Sequence, residues 1–127
     1  RQPEKFDVVV TTNLFGDILS DESSQVVGGL GMAPAANLGD DFALFEPVHG
    51  AAFDIAGQNI ANPSSFLLSI KMMLDWLGAK HNDQKCFEMA KKLESTIFDL
   101  VKTGIKTKDI GGDKTTTEFT KQITDNL

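Results

Sequence analysis

The sequence is poor in cysteine, arginine and tyrosine, and it has no long hydrophobic run. Cys86 is the only cysteine among the 127 residues. An internal disulfide and a zinc cluster of several thiolates are therefore excluded, and we expect a reducing, cytoplasmic location. No stretch approaches the roughly 18 uninterrupted apolar residues of a membrane span. Residues 1–5 contain no apolar segment of the kind that a signal peptide requires.

Positive charge is also scarce relative to negative charge. The formal net charge of −6 argues against nucleic acid or an anionic membrane as the main partner. The composition, 41% hydrophobic and 24% charged, provides a hydrophobic core and excludes a disordered tail or a disulfide-stabilised mini-protein. The length is that of one ordinary domain. The sequence begins without methionine and enters a strand almost at once, so we expect it to be part of a longer chain.

Hydrophobic patterning predicts buried strands separated by helices, which indicates an α/β architecture. Two strands are too few for a complete sheet, so we expect neighbouring strands from residues outside this sequence. In the first half, the predicted elements are a strand over 6–11, a turn over 12–16, a helix over 17–27, a glycine-rich loop over 28–39 and a strand over 42–46.

The second half is predicted to be mainly helical. A long connection over 47–62 leads to a helix that begins at Asn62 and Pro63 and ends at Gly78. A second helix is predicted over 83–103, because Cys86, Ala90, Leu93, Ile97 and Leu100 alternate in steps of four and three. After a turn over 109–113, the sequence from Thr115 to Glu118 matches a capping box and opens a last helix that carries Phe119 and Ile123.

Two acidic residues are candidate metal ligands. Asp17 and Asp21 are four residues apart on a predicted helix, so their carboxylates project from one face. A hard divalent cation such as Mg²⁺ or Mn²⁺ would relieve their mutual repulsion. The alternative is that both simply favour the first turns of a helix because of its dipole. Their place just after the carboxyl end of a predicted strand favours a ligand site.

The segment after the second predicted strand holds further candidates. His49 is either an acid, base or ligand, or a ring that satisfies a loop hydrogen bond, and Gly50 would let the backbone approach a cofactor. Asp54 is either an acceptor for a ribose diol or an Asx-turn residue. Gly29-Leu30-Gly31 lacks the third glycine of a dinucleotide fingerprint and follows a helix instead of a strand, so we reject a Rossmann motif.

A series of motifs extends along the sequence: Thr12–Glu22, Gly29–Pro34, Asn37–Gly39, Glu46–Gly50, Asp54–Gly57, Ile60–Pro63, Asp109–Gly112 and Thr115–Phe119. In this order and with this spacing, they resemble the motifs of the β-decarboxylating dehydrogenases, the family of 3-isopropylmalate, isocitrate and homoisocitrate dehydrogenases. The resemblance covers essentially the whole sequence.

The resemblance implies that Asp17 and Asp21 bind Mg²⁺ or Mn²⁺. It also implies that the adenosine half of NAD lies against one set of residues: Glu46, His49, Gly50, Ala51, Ala52, Asp54, Ile55 and Asn62. Asp54 followed by Ile55 matches the NAD-using pattern, because members that use NADP carry Lys-Tyr there. The expected reaction is the NAD-dependent oxidative decarboxylation of a malate-type 2-hydroxy diacid.

One part of the cofactor loop departs from the family pattern. Where the family has Gly-Ser-Ala-Pro-Asp, this sequence reads Gly50-Ala51-Ala52-Phe53-Asp54, which lacks the serine hydroxyl and the proline. The Ala-Ala-Phe-Asp variant is similar to that of some archaeal 3-isopropylmalate dehydrogenases, so 3-isopropylmalate is the expected substrate. Isocitrate, homoisocitrate, and a non-catalytic nucleotide-binding or assembly subunit remain alternatives.

The resemblance also implies what the sequence does not contain. The family's catalytic tyrosine and lysine and its substrate-binding arginines are expected upstream, and this sequence has no tyrosine and only Arg1. The fold expected is a C-terminal fragment of the isocitrate/isopropylmalate dehydrogenase type. Residues 1–27 would end the smaller, dimer-interface domain, and residues 28–127 would complete the larger, cofactor-binding domain of a homodimer or higher oligomer.

Overall fold

A computed structural model describes residues 2–127 of the chain. Arg1, where the predicted first domain begins, lies outside the described residues. Short 3₁₀ turns connect several of the elements, and among residues 2–127 no helix has the length and apolar content needed to cross a bilayer. The helices and strands are α1 (Asn13–Ser24), β1 (Pro34–Leu38), β2 (Ala43–Pro47), α2 (Ser64–His81), α3 (Gln84–Lys102) and α4 (Thr116–Asp125).

Strands β1 and β2 form an antiparallel hairpin. Their register runs from Pro34 opposite Pro47 to Leu38 opposite Ala43. The second strand was predicted to within one residue, but the first lies in the segment predicted to be a loop. Its residues have low intrinsic strand propensity, so they form a strand only because β2 supplies the backbone partners. The described residues therefore hold a two-stranded sheet, in which only β2 corresponds to a predicted strand.

Helix α2 packs against the hairpin on one side and against α3 on the other. Two of its buried serines fix the hairpin: the Ser65 hydroxyl donates to the Ala33 carbonyl, and the Ser69 hydroxyl donates to the Glu46 carbonyl at 2.6 Å. The Phe45 ring meets the Trp76 ring edge-on, with the centroids 6.2 Å apart. These contacts hold the start of β1 and the end of β2, which lie side by side, against a single helix.

The hydrophobic core lies where α2, α3 and α4 meet. The predicted spacing of α3 is confirmed at Ala90, Leu93, Ile97 and Leu100, whereas Cys86 is only half-buried. Phe119 and Ile123 of α4 are buried as well. The helix predicted over 83–103 is confirmed as α3, with both bounds correct to within one residue. The Asp83 side chain caps this helix by accepting from the Lys85 N–H. The buried apolar residues are Met32, Leu68, Leu93, Ile97, Leu100, Phe119 and Ile123.

The prediction that Gly78 ends α2 is wrong. The helix continues to His81 and ends at Asn82, which has a left-handed conformation with φ of 53°. Gly78 is buried inside the helix, and a Cβ added there would lie 3.1 Å from the Phe87 ring of α3. The glycine therefore allows the two helices to approach closely.

The predicted strand over 6–11 is not formed in the described residues. This segment is extended but unpaired, and its side chains are exposed, with Val10 91% accessible. A buried strand requires neighbouring strands on both sides, and the chain supplies none here. The predicted turn over 12–16 is also wrong, because α1 begins at Asn13 and contains Gly16. Helix α1 makes its main contacts with the 3₁₀ turn that follows it, Gln25–Val27.

The capping box before α4 is present as predicted. The Thr115 hydroxyl accepts from the Glu118 N–H, and the Glu118 carboxylate accepts from the Thr115 N–H at 2.9 Å. These bonds from the backbone and the hydroxyl of Thr115 hold the pKa of the Glu118 carboxyl below its ordinary value of 4.5. The cap places Phe119 and Ile123 in the core.

Because the pKa of Glu118 is lowered in the folded state, its carboxylate contributes stability above about pH 4.5, and that contribution is lost as the pH falls through the folded-state pKa. We expect Glu118→Gln to be less stable than the wild type at neutral pH. The difference in free energy of unfolding should shrink on acidification, as measured by urea denaturation across a pH series. A difference that stays constant with pH would contradict this role of Glu118.

Candidate functional site

A cavity of about 550 Å³, here called cavity A, lies between the loop after β2, the beginning of α2 and the 3₁₀ turn after α3. Six of the eight predicted cofactor residues line it, and the other two, Glu46 and Asp54, do not. The full lining consists of Leu30, Gly31, His49, Gly50, Ala51, Ala52, Ile55, Ile60, Ala61, Asn62, Lys108 and Asp109.

The walls of cavity A are mostly small and apolar, with a few polar groups. Gly50 has no atom within 4 Å of an added Cβ, and Ala51 and Ala52 present only methyl groups. Such a lining leaves room for a planar, largely apolar ring system that approaches the backbone. The residues present therefore fit the adenosine half of a dinucleotide.

For His49 the structure shows the loop hydrogen bond, and the role as acid, base or ligand stays a prediction. Its Nδ1 lies 3.0 Å from the Gly50 carbonyl oxygen, so the ring satisfies a loop hydrogen bond. A carbonyl only accepts, so Nδ1 carries the proton in this arrangement and Nε2 is left as an acceptor. His49 also lines cavity A, so it lies where a ligand role would require it.

Asp54 does not line cavity A. It belongs to the 3₁₀ turn Phe53–Ile55, whose last residue does line the cavity. Its backbone carbonyl accepts from the Gln58 side chain at 2.7 Å, but within residues 2–127 no hydrogen bond or ion pair engages its carboxylate. The carboxylate is exposed and free to accept from a ligand hydroxyl.

Asn62 lies at the beginning of α2, where its side chain has two roles. Its Oδ1 accepts from the N–H of Ser64, the first residue of α2, at 3.0 Å. The prediction that Asn62 is the N-cap is off by one residue, because Pro63 holds that position. Its Nδ2 donates to Asp109 Oδ2 at 3.0 Å, across the back of cavity A. Asp109 also accepts from the hydroxyl of Thr107, which is fully buried.

The far wall of cavity A is held by helix α4. Asn59 has a left-handed backbone with φ of 57°, and its carbonyl accepts from the Thr116 N–H at 2.9 Å. Its side-chain Oδ1 accepts from the Thr117 N–H at 3.1 Å and from the Thr117 hydroxyl at 2.8 Å. The Thr116 hydroxyl donates to the Ala61 carbonyl. The first turn of α4 thus fixes the segment that supplies Ile60 and Ala61.

A second cavity of about 570 Å³, here called cavity B, lies between the beginning of α1 and the end of β2. Asp17 lines it on one side, and Glu46 lines it on the other. The Glu46 carboxylate also accepts from the Asn37 side-chain amide at 3.1 Å. His49 and Gly50 line both cavities, so the two sites adjoin at these residues.

The two predicted metal ligands lie one turn apart on α1. Asp17 lines cavity B, whereas Asp21 does not, and both are exposed. Within residues 2–127 neither has a cationic partner, and no group of three or more His, Cys, Asp or Glu side chains could hold a metal ion. Two unpaired hard-oxygen donors fit Mg²⁺ or Mn²⁺, with further ligands required from elsewhere.

Sequence reasoning missed several residues of cavity A, chiefly Gly31, Lys108 and Asp109. Both Gly31 and Asp109 belong to motifs of the family resemblance, but neither was predicted to be a site residue. The resemblance of residues 109–112 to the family's C-terminal segment was the one signal that this turn belongs to the site. The fold brings it to Asn62, which is 47 residues away along the chain.

Comparison with known proteins agrees with this geometry. A family model described as Isocitrate/isopropylmalate dehydrogenase matches residues 1–127. The chain is 51% identical to a 3-isopropylmalate dehydrogenase of Sulfurisphaera tokodaii, covering 100% of this chain and 38% of that relative. It is 52% identical to an isocitrate/homoisocitrate dehydrogenase of Thermus thermophilus, covering 99% of this chain and 36% of that relative.

Solved structures show the same fold. The TT0538 protein of Thermus thermophilus superimposes with a TM-score of 0.88 at 44% identity, over 99% of this chain and 25% of that one. An isocitrate dehydrogenase of Methylococcus capsulatus superimposes with a TM-score of 0.86 at 41% identity, over 98% of this chain and 36% of that one. The predicted α/β fold class is confirmed, and the chain spans little more than a third of the curated relatives it matches. By its sequence and its fold, the chain belongs to the isocitrate/isopropylmalate dehydrogenase family.

Proposed function

We propose that the full-length protein catalyses the NAD-dependent oxidative decarboxylation of a malate-type 2-hydroxy diacid. The observation that carries this proposal is cavity A, which gathers six of the eight residues that the family resemblance assigns to the adenosine half of NAD. The chain spans 38% of the first relative, so the activity is assigned to the complete protein and not to these residues alone.

The choice of NAD over NADP rests on Asp54. Its carboxylate is exposed, and the next residue in the chain, Ile55, lines cavity A. A carboxylate there accepts hydrogen bonds from a free ribose hydroxyl and repels a phosphate on the same oxygen. Lys108 in the opposite part of the lining supplies a positive charge that favours the negatively charged cofactor as a whole.

Asp17 and Asp21 are the metal ligands of the proposal. Their carboxylates are unpaired within the described residues, and Asp17 faces cavity B beside the wall that it shares with cavity A. A bound Mg²⁺ or Mn²⁺ supplies Lewis-acid polarisation of the substrate hydroxyl and carboxylate. Asp17 would hold the ion from the wall of cavity B, and Asp21 would do so from the next turn of α1.

The remaining groups are assigned to parts of the protein outside this chain. A catalytic tyrosine cannot come from these residues because the sequence contains none. Residues 1–27 are proposed to end a smaller domain that forms a homodimer interface, and residues 28–127 to complete the larger domain. The concentration of the core in α2, α3 and α4, with α1 set apart from it, supports this division.

The first candidate substrate is 3-isopropylmalate. Several curated relatives at about half identity carry that name, including those of Sulfurisphaera tokodaii and Saccharolobus solfataricus, the latter 55% identical over 113 residues. Isocitrate or homoisocitrate is the second candidate, because a Thermus thermophilus relative of that name is 52% identical.

The competing hypothesis is that the protein is not an enzyme and has a purely structural or assembly role. Such a subunit has no need for unpaired carboxylates at a cavity and a nucleotide-sized pocket next to each other. The adjoining of cavities A and B at His49 and Gly50 therefore favours an enzyme.

The proposal is tested by assaying the full-length protein with NAD, Mn²⁺ and each of 3-isopropylmalate, isocitrate and homoisocitrate. We expect NADH formation with release of CO₂, and the highest kcat/KM with 3-isopropylmalate. Turnover of only one of the other two acids would replace the substrate assignment. Nucleotide binding without turnover of any of the three would instead favour the non-catalytic alternative.

Cofactor preference is expected to follow Asp54 and Ile55. We expect the double variant Asp54→Lys with Ile55→Tyr to raise the ratio of kcat/KM for NADP over NAD by at least about tenfold, because a carboxylate that repels a phosphate becomes a cation that attracts it. Asp99→Lys makes the same charge change on the exposed face of α3, away from the cavity, and should leave the ratio unchanged. An unaltered preference in the double variant would count against the assignment of cavity A.

Metal binding is expected to stabilise the full-length protein. Mn²⁺ at about 100 times its dissociation constant should add roughly 2.7 kcal/mol to the free energy of unfolding. We expect Asp17→Asn and Asp21→Asn each to reduce this stabilisation, as measured by thermal denaturation with and without Mn²⁺. Asp40→Asn, at an exposed aspartate outside both cavities, should retain it. Equal stabilisation of all three variants would place the ion elsewhere.

A further inference from the structure

We propose that Asp109 is a positioning residue for cofactor recognition, which acts by fixing the orientation of the Asn62 side chain in the wall of cavity A. This inference rests on the proposed function, because it concerns how the same cavity binds NAD. Asp109 and Asn62 both line the cavity, and their side chains are joined by a 3.0 Å hydrogen bond. No motif joins the two positions in the sequence.

The Asn62 amide has only one orientation that satisfies its neighbours. Its Oδ1 accepts from the Ser64 N–H at 3.0 Å, and its Nδ2 donates to Asp109 Oδ2 at 3.0 Å. A rotation of the amide by half a turn would set its NH₂ group against a backbone donor and its oxygen against a carboxylate oxygen. Both contacts would then be repulsive, so the Asp109 carboxylate fixes the orientation of the amide. Nδ2 also lies 3.6 Å from the Met32 sulfur, so both of its hydrogens have partners within the protein. The second lone pair of Oδ1 is then the part of the Asn62 amide that remains able to accept from a ligand.

Asp109 is itself held in place by a buried group. Its Oδ1 accepts from the Thr107 hydroxyl, and Thr107 is fully inaccessible to solvent. A buried hydroxyl without a partner is costly, so this bond fixes the carboxylate firmly. Each carboxylate oxygen thus has one assigned donor, Thr107 on one side and Asn62 on the other.

The backbone at Gly31 closes over this pair. A Cβ added at Gly31 would lie 2.8 Å from Asp109 Oδ2 and 3.0 Å from the Asn62 Cβ. The Gly31 carbonyl also accepts from the Ser65 N–H at 2.8 Å, so the backbone cannot move away without breaking a bond to α2. The space that a side chain would fill is taken by the Asn62–Asp109 contact.

The test exchanges the donor and the acceptor in the full-length enzyme. Asn62→Asp alone places two carboxylates in the 3.0 Å contact, and we expect its KM for NAD to rise roughly tenfold or more, the factor that corresponds to losing one hydrogen bond to a charged group. The KM for the hydroxy acid and the kcat at saturating NAD should change by less than about threefold. Adding Asp109→Asn lets the new amide donate to the carboxylate introduced at position 62 while still accepting from Thr107, so the double variant should recover most of the affinity for NAD.

The controls separate positioning from general stability. Asp113 lies four residues after Asp109, its side chain is 80% exposed, and it does not line cavity A. Asp113→Asn should therefore leave the KM for NAD unchanged. Gly31→Ala displaces the Asp109 carboxylate without altering either partner, and should also raise the KM for NAD. It provides a second variant if Asn62→Asp does not fold, which thermal denaturation reports.

The outcomes distinguish this inference from the proposed function. If the wild-type protein does not bind NAD in a calorimetric titration, both the proposed function and this inference are wrong. If the wild type binds NAD but Asn62→Asp and Gly31→Ala bind it equally well, the positioning role of Asp109 is overturned while the cofactor assignment stands. A fall in melting temperature that is restored in the double variant without recovery of NAD affinity would also overturn it, since Asp109 would then act on the fold alone.

Discussion

The structure depends on the hydrogen bonds that the first turns of α2 make to the chain before it. The Ser65 N–H and hydroxyl bind the carbonyls of Gly31 and Ala33, and the Ser69 hydroxyl binds the carbonyl of Glu46. These hydroxyls are buried, so their bonds are satisfied within the protein and not by water. They attach the start of β1 and the end of β2 to one helix. The residues before β1 and after β2 therefore lie beside the start of that helix. Cavity A lies where these segments meet.

Local elements were largely predictable from the sequence, because their determinants lie within a few residues. The capping box at Thr115 and the apolar spacing of α3 both predicted the helix bounds well. Strand β1 was missed and the strand over 6–11 was wrong for the same physical reason. A strand is formed by pairing with another strand, and its own residues do not determine whether a partner lies alongside.

In the candidate site, too, the residues that are close together in the sequence were predictable and those that are distant along the chain were not. The residues of the loop after β2 follow one another in the sequence, so a motif could identify them together. Asp109 and Gly31 are distant from that loop along the chain, and only the packing of the turn after α3 against the start of α2 brings them to Asn62. The residues that bind a ligand can be recognised by type, whereas those that hold the binding residues in place require the fold.

The extended segment Phe6–Val10 has a consequence for the folding of any protein that contains it. Its β-branched side chains are exposed, and apart from the Phe6 N–H, which donates to the Pro3 carbonyl, its backbone groups form no backbone hydrogen bonds within the described residues. A segment of this kind can act as a template for intermolecular cross-β stacking. The charges of Lys5 and Asp7 oppose such stacking, as charged residues do beside hydrophobic strands that cannot be avoided. Neighbouring strands must therefore cover this segment early, before chains that still expose it meet one another and aggregate.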